Sequence, residues 1–175
     1  MVTITISGTP GSGKSTVAKL LEKKLGIQYI YSGMIFRQQA KKHKMTLEEF
    51  GKYCEQNPEI DKELDNKQLE ILQKGNVILE GRLAGWLAHL NNISALKIML
   101  NADIDTRAKR IVKREKGEIE KRKKEIIQRE KSEALRYKKY YNINLKDHSI
   151  YNLVIDASNK TPDEITDIIM KKIKD

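Results

Sequence analysis

Cysteine, aromatic residues and long apolar runs are scarce in this sequence, and each scarcity excludes a class of protein. The single cysteine, Cys54, rules out an internal disulfide framework and is typical of a reducing compartment. No apolar run approaches the length of about 20 residues that a membrane-spanning helix needs. The N-terminus has a strand-like pattern rather than that of a signal peptide. We therefore expect a cytoplasmic protein that does not enter a membrane.

The composition is that of a globular domain. The chain has 175 residues, of which 39% are hydrophobic and 33% are charged, so it is able to bury a continuous core. No internal repeat and no low-complexity linker divides it. We expect a single domain over residues 1–175 and a monomeric protein.

The positive charge is concentrated in one segment. The net charge is +10, and between residues 107 and 146 Lys and Arg outnumber the acidic residues by 16 to six, while the rest of the chain is neutral. A basic protein suggests a polyanionic surface such as nucleic acid. A local, arginine-rich segment suits a small polyphosphate ligand equally well. Composition alone leaves both kinds of partner open.

Short strands alternate with helical segments along the chain. The strand-like runs are residues 2–7, 28–31, 76–80, 96–100 and 151–155. Helical spacing fills most of the intervals, with breaks near residues 44–46 and 57–58 and a glycine at 117. The alternation predicts an α/β fold, with a five-stranded parallel sheet that carries helices on both faces.

The turn between the first strand and the first helix matches a phosphate-binding loop, G-x-x-x-x-G-K-[ST], in full. Its glycines let the backbone curl so that successive N–H groups point at phosphate oxygens, and the helix adds its positive end. We expect Lys14 to reach the β- and γ-phosphates of ATP and the Ser15 hydroxyl to bind Mg²⁺. The expected nucleotide-binding residues are Gly8, Thr9, Pro10, Gly11, Ser12, Gly13, Lys14, Ser15 and Thr16.

Two arginines follow the second and third strands, at the edge where open α/β sheets bind ligands. Ser32 is the expected N-cap of the helix after the second strand, and Arg37 lies in its first turns. The third strand ends at Glu80, which Gly81 and Arg82 follow. A guanidinium group at either place is suited to clamp a monophosphate. Glu80 is a candidate to orient water bound to Mg²⁺ or to cap a helix.

The basic segment aligns arginines on helix faces. Those before Gly117 are spaced i, i+3 and i+7, and those after it recur every seven residues. The two sets are Arg107, Arg110 and Arg114, and then Arg122, Arg129 and Arg136. Arginines in register beside a glycine hinge predict a lid that closes over the triphosphate and excludes water. A salt-bridged pair of surface helices is the alternative.

With these motifs the chain resembles the nucleoside monophosphate kinases, and in particular the cytidylate kinases of short archaeal type. The segment from Arg129 to Tyr137, followed by Tyr140 and Tyr141, is similar to the lid of that family. The resemblance covers nearly the whole chain. It implies a P-loop NTPase core at residues 1–31, 75–116 and 147–175, an acceptor-binding region at 32–74 and a lid at 117–146.

The resemblance also implies a reaction, the transfer of the ATP γ-phosphoryl group to CMP or dCMP in the presence of Mg²⁺. Arg37 and Arg82 would hold the acceptor phosphate, Arg129 and Arg136 would bridge donor and acceptor, and Glu133 would orient lid and substrate. The implied catalytic residues are Lys14, Arg82, Arg129 and Arg136. The implied substrate-binding residues are Ser32, Gly33, Arg37, Gly81, Arg82, Arg129, Glu133 and Arg136.

The chain departs from relatives of this family in two places. Bacterial cytidylate kinases carry an insertion in the acceptor region that is absent here, and an acidic residue that reads the cytosine amino group stands where this chain has Leu83. The Gly-Phe-Pro-Arg type of sequence of adenylate kinases is also absent, which disfavours AMP. Two alternatives stay open, a P-loop kinase for UMP, AMP or another metabolite, and a nucleic-acid-binding ATPase. We expect small nucleotides, and no nucleic acid, as partners.

Overall fold

The computed structural model describes residues 2–174, which form a five-stranded parallel sheet with helices on both faces. The strands are β1 (Ile4–Gly8), β2 (Gln28–Tyr31), β3 (Val77–Glu80), β4 (Leu96–Asn101) and β5 (Leu153–Asp156). The helices are α1 (Lys14–Leu25), α2 (Ser32–Lys42), α3 (Leu47–Gln56), α4 (Pro58–Lys74), α5 (Ala84–Leu90), α6 (Ile104–Glu115), α7 (Ile119–Tyr141) and α8 (Pro162–Lys174). The predicted fold class is confirmed.

The order of the strands brings two of the predicted motifs to one edge of the sheet. The order is β2-β3-β1-β4-β5, and every neighbouring pair is parallel. Ile6 of β1 pairs with Glu80 of β3, so both strands end at nearly the same level. The carboxyl ends of adjacent parallel strands meet at the sheet edge where ligands bind. The phosphate loop after β1 therefore lies next to the Gly81–Arg82 turn after β3.

Two apolar clusters cover the two faces of the sheet. On one face, the fully buried Ile4 and Ile6 of β1 pack with Val17 of α1 and Ile169 of α8. On the other face, a second cluster joins β3 to α4, α5 and the end of α7, and its largest side chain is Trp86. Ile78 of β3 lies in the first cluster and Leu79 in the second, so burial on both faces explains the continuous apolar run Val-Ile-Leu of this strand. Trp86 is thus a packing residue.

Local signals in the sequence set several helix ends. Thr46 and Glu49 form a reciprocal capping box at the start of α3, and Gly26 ends α1 in the left-handed conformation. The Asp103 carboxylate accepts from the Thr106 N–H at 2.7 Å and caps α6. Ser32 is not a cap, because Tyr31 holds the N-cap position of α2 and no side chain caps that helix. The Ser32 side chain instead lies against Gly81.

Helix α5 has no counterpart in the sequence prediction. Residues 84–88 are all buried, so the segment shows neither the one-sided pattern of a surface helix nor the length of a typical one. The Gly85 N–H donates to the Ser7 hydroxyl at 3.0 Å, and a side chain at Gly85 would overlap the Tyr151 ring. Cys54 is completely buried, and burial raises the pKa of its thiol to about 12.

Candidate functional site

The phosphate loop has the backbone that an anion needs. Gly11 and Gly13 have φ values of +80° and +97°, which residues with a side chain rarely adopt. Gly13 is the N-cap of α1, and no side chain satisfies the first N–H groups of that helix. A helix N-terminus whose amides have no side-chain acceptor attracts phosphate oxygens through those donors and through the helix dipole. The loop is therefore built to hold an anion.

Lys14 lies in the cleft beside this loop. Its ammonium group donates to the Thr9 carbonyl at 3.0 Å. Burial lowers the pKa of Lys14 to about 8, against the opposing attraction of Glu80 and with the help of repulsion from Arg129 and Arg82. A lysine that is desolvated among other cations is unfavourable in an empty site. An anionic ligand would relieve both costs.

Two arginines of α6 hold the loop in place. Arg110 donates to the Ser12 carbonyl at 3.2 Å and to the Ala157 carbonyl at 2.7 Å. Arg107 is buried, with one Nη atom 3.4 Å from the Pro10 carbonyl and 3.0 Å from a carboxylate of α7. We expected these arginines to form one functional face with Arg114. The structure separates them, because Arg107 and Arg110 brace the loop while Arg114 pairs with the adjacent Glu115 on the surface.

A cluster of hydroxyl and carboxylate side chains from β2, β3 and the start of α1 lies next to the loop. The Tyr29 hydroxyl donates to the Glu80 carboxylate, and the nearby Ser15 hydroxyl acts on the pKa of Tyr29 in the lowering direction. Burial, and then the Glu80 charge, raise the pKa of Tyr29 well above its ordinary value. A hydroxyl and a carboxylate are hard oxygen donors of the kind that Mg²⁺ prefers. The donor set at Ser15 and Glu80 therefore fits Mg²⁺.

A cavity of about 580 Å³ opens between α2, α3, α4 and α7, beside the turn that contains Arg82. Four arginines line it, and most of the substrate-binding residues expected from the sequence are among its lining residues. The expected residues among them are Ser32, Gly33, Arg37, Arg82, Arg129, Glu133 and Arg136. Gly81 lies behind Ser32, and Arg37 is exposed at the cavity. Arg122 is not among the lining residues; it pairs with Glu125 at 2.7 Å.

Glu133 organises two of the cavity arginines. One carboxylate oxygen accepts from Arg82 Nε and the other from Arg129 Nε, each at 2.9 Å. Burial raises the pKa of Glu133, but the charges of Arg129 and Arg82 more than offset this and hold the pKa below its usual range. Because each arginine uses its Nε atom here, its two Nη groups are left without a hydrogen-bond acceptor among residues 2–174. The arrangement presents four terminal guanidinium nitrogens to a ligand.

Further contacts connect α7 to the helices of the acceptor region. Arg136 Nε lies 2.9 Å from an Asp61 oxygen, at a distance for an ion pair but without hydrogen-bond alignment. The Ser132 hydroxyl donates to Glu55, and the Tyr141 hydroxyl donates to Asp65 at 2.8 Å. In this state α7 is held against α3 and α4.

Three residues of α4 belong to the cavity although the sequence prediction left them out. They are Asp61, Asp65 and Gln68, with 4%, 5% and 5% of their surfaces exposed. Their spacing of i, i+4 and i+7 is the only signal the sequence offers. A polar helical face usually points to solvent, so this pattern alone does not reveal a buried polar wall.

Two features are absent from the part of the chain that the structure describes. None of the helices in residues 2–174 is both long enough and apolar enough to cross a membrane. Over the same residues, no group of three or more His, Cys, Asp or Glu side chains is placed to hold a metal ion. A magnesium ion that accompanies a polyphosphate needs no such cage, since phosphates and water supply most of its ligands.

Comparison with known proteins gives consistent results at the level of sequence and fold. A sequence model of the cytidylate kinase-like family matches residues 3–159. The chain is 45% identical over 172 residues to cytidylate kinase of Methanococcus vannielii, covering 98% of this chain and 99% of that protein. It is 46% identical over 171 residues to cytidylate kinase of Methanocaldococcus jannaschii, covering 97% and 96%.

Among solved structures, an uncharacterized protein from Eubacterium ventriosum superposes with a TM-score of 0.74 at 20% identity, covering 99% of both chains. Shikimate kinase from Bacteroides thetaiotaomicron superposes with a TM-score of 0.66 at 17% identity, covering 99% of this chain and 98% of that one. At such identities these likenesses support the fold alone.

Proposed function

The chain belongs to the cytidylate kinase-like family, and on that premise we propose that it transfers the γ-phosphoryl group of ATP to CMP or dCMP. The products are ADP and the corresponding nucleoside diphosphate. The near-complete coverage of archaeal cytidylate kinases at about 45% identity supports this reaction over the alternatives. The proposal places the enzyme in the cytoplasm, as a monomer that uses small nucleotides and no nucleic acid.

The observation that carries the proposal is the pair of arginines that Glu133 holds through their Nε atoms, with their Nη groups left over for a ligand. Within residues 2–174 the Nη groups of Arg82 and Arg129 have no acceptor, while their Nε atoms are fixed at 2.9 Å from Glu133. Both arginines are also close enough to Lys14 to lower its pKa. Three cations thus converge between the phosphate loop and the acceptor cavity. This is where a phosphoryl group would pass from one nucleotide to the other.

The phosphoryl group would move by direct displacement. An oxygen of the acceptor monophosphate attacks the γ-phosphorus, the bond between that phosphorus and the β,γ-bridging oxygen breaks, and ADP leaves. The attacking phosphate oxygen is already a competent nucleophile, so no side chain is needed as a general base. The contribution of Lys14, Arg82 and Arg129 is to align the two phosphates and to neutralise the charge on the transferred group.

The donor side would be completed by magnesium. We assign the ion to the Ser15 hydroxyl, with Glu80 holding water molecules of its shell and Tyr29 fixing that carboxylate. When bound there, the ion would supply positive charge that offsets the charge of the ATP phosphates. The loop residues Gly8–Thr16 would hold the triphosphate through backbone N–H groups, and the tie from Arg110 to the Ser12 carbonyl at 3.2 Å would keep the loop in shape.

The acceptor side would be divided as the family resemblance implies. We propose residues 32–74 as the acceptor-binding region, residues 117–146 as a lid and the remainder as the core. Arg37 and Arg82 would hold the acceptor phosphate, and Arg136 would leave Asp61 to join the phosphates when both nucleotides are bound. Gly117, with φ +104°, is the proposed hinge between α6 and α7.

A panel of acceptors tests the proposal. CMP, dCMP, UMP and AMP are each assayed with ATP and Mg²⁺, and the nucleoside diphosphate is measured directly. We expect the cytosine nucleotides to give the highest kcat/KM, by at least tenfold. Preference for AMP or UMP would contradict the cytidylate assignment. ATP hydrolysis that rises with added RNA or DNA, and not with any monophosphate, would favour the nucleic-acid-binding ATPase instead.

A further inference from the structure

The wall that α4 contributes to the acceptor cavity contains a buried carboxylate that the proposed reaction has not yet used. Asp65 is 5% exposed and lies between Asp61 and Gln68 on the face of α4 that lines the cavity. A buried carboxylate costs several kcal/mol unless it is paired or well hydrogen-bonded. Its presence in a ligand cavity therefore needs an explanation.

The two acidic residues of this wall are in different situations. Asp61 has Arg136 at 2.9 Å, whereas no Lys or Arg of the described chain lies within ion-pair distance of Asp65. Asp65 accepts only neutral donors, Gln68 Nε2 at 3.2 Å and the Tyr141 hydroxyl at 2.8 Å. Burial raises the pKa of Asp65 to about 7, although the Tyr141 hydrogen bond opposes the rise. Half of the acceptor capacity of the carboxylate remains open, because it has about four lone-pair positions.

The charges in the cavity give an acceptor nucleotide a direction. Arg82 and Arg129 lie near Lys14, so a monophosphate is drawn to that end. Within residues 2–174 none of the four cavity arginines forms an ion pair with Asp65, since Arg82 and Arg129 are held by Glu133 and Arg136 pairs with Asp61. A nucleotide with its phosphate among the arginines therefore turns its base toward the α4 wall. The neighbouring Leu83 is buried in an apolar cluster and offers the base no polar group.

We propose that Asp65 reads the base, its carboxylate accepting a hydrogen bond from the 4-amino group of cytosine; this inference rests on the proposed cytidylate kinase function. Asp and Glu are the side chains that accept from the cytosine amino group in other recognition sites. Uracil carries an oxygen at the same position, and two acceptors facing each other in a dry cavity repel. Gln68 and Tyr141 are positioning residues, because their donors fix the plane of the carboxylate.

The variant Asp65→Asn tests this assignment. An amide of the same shape presents either an acceptor or a donor, so it no longer distinguishes cytosine from uracil. We expect the ratio of kcat/KM for CMP to that for UMP to fall about 10- to 100-fold. The dissociation constant of MgATP and the ratio of CMP to dCMP should stay unchanged. Glu63→Gln is the matched control, because Glu63 is a solvent-facing acid of α4 that pairs with Lys67 at 3.0 Å.

An acceptor analogue provides a measurement that does not depend on a variant. The monophosphate of the pyrimidin-2-one ribonucleoside has hydrogen in place of the 4-amino group and is otherwise the same as CMP. We expect wild-type kcat/KM to be at least tenfold lower for this analogue than for CMP. In Asp65→Asn the difference should shrink to a few-fold. If that variant does not fold, Tyr141→Phe is measured instead. We then expect a several-fold fall in the ratio of kcat/KM for CMP to that for UMP.

The outcomes separate this inference from the function on which it rests. A wild-type protein that does not phosphorylate CMP refutes the cytidylate kinase function itself. Wild-type activity on CMP together with an unchanged CMP to UMP ratio in Asp65→Asn overturns only the role of Asp65. Equal losses on CMP and UMP would also overturn it, because they would show that Asp65 merely ties α4 to α7 through Tyr141.

Discussion

Replacing Lys14 by methionine should abolish turnover and at the same time stabilise the protein. Methionine keeps the unbranched shape of the side chain but carries no charge. The pKa of Lys14 is lowered from 10.5 to about 8, first by burial and then by Arg129 and Arg82, with Glu80 opposing. A charge held in an unfavourable site lowers the stability of the empty protein, and such sites are common where function requires the charge.

The size of the effect follows from this shift. One pKa unit corresponds to about 1.4 kcal/mol, so the charged lysine destabilises the folded state by at most about 3.5 kcal/mol. Lys14 is only partly buried, and the variant loses the hydrogen bond to the Thr9 carbonyl, which is worth about 1 kcal/mol. We expect a net gain of about 1 to 2 kcal/mol at pH 7. For a chain of this size that raises Tm by roughly 2–8 °C.

The pH dependence supplies the sharper test. Between about pH 8 and pH 10.5 the unfolded chain binds a proton that the folded protein has released, so wild-type stability rises with pH over this range. The advantage of Lys14→Met should therefore be largest below pH 8 and shrink toward pH 10.5. Denaturant unfolding at several pH values measures it, with the exposed-site variant Lys19→Met as control. A variant less stable than wild type at pH 7, or a difference independent of pH, would refute this reasoning.

Three further predictions concern the loop, the lid and the α4 wall. Arg129→Ala should lower kcat by orders of magnitude with little change in Tm, while Lys131→Ala, on the exposed side of α7, should leave kcat within about twofold. Gly11→Ala should abolish MgATP binding in calorimetry, because the added Cβ would lie 2.7 Å from a backbone oxygen of α6. The control is Gly26→Ala, which has open space around it; this variant should lose about 1 kcal/mol of stability and keep full MgATP binding. Asp65→Asn should be more stable than wild type at pH 8 and lose this advantage as pH falls from about 7 toward 3.8. Over that range Asp65 takes up a proton in the folded wild type before it does so in the unfolded chain, which stabilises the wild type. Equal pH profiles of the two proteins in denaturant unfolding would contradict this.

The elements with strong local signals could be predicted from the sequence. The five strands and the phosphate loop depend on residues adjacent in the chain. The family resemblance was also confirmed, since the match extends over residues 3–159. Helix α5 was missed because its residues are buried on every side and give no periodic pattern.

The parts of the site that depend on distant contacts could not be predicted. The arginines of the basic segment look alike in the sequence, yet Arg107 and Arg110 bind the backbone of the loop while Arg129 lines the cavity. The difference arises from how α6 and α7 pack, which spacing along one helix does not encode. Asp65 was missed for the same reason. Its burial is produced by α7 and Tyr141, which lies 76 positions away in the chain.

The most direct test of the account is a crystal structure with a bisubstrate analogue in which adenosine and cytidine are joined by five phosphates. We predict that the phosphate chain runs from the amides of the Gly8–Thr16 loop past Lys14 to the Nη atoms of Arg82 and Arg129. The cytosine would then lie against Asp65. A cytidine half outside the α4 cavity, or a phosphate chain without contact to these arginines, would contradict the claim that one cleft holds both nucleotides.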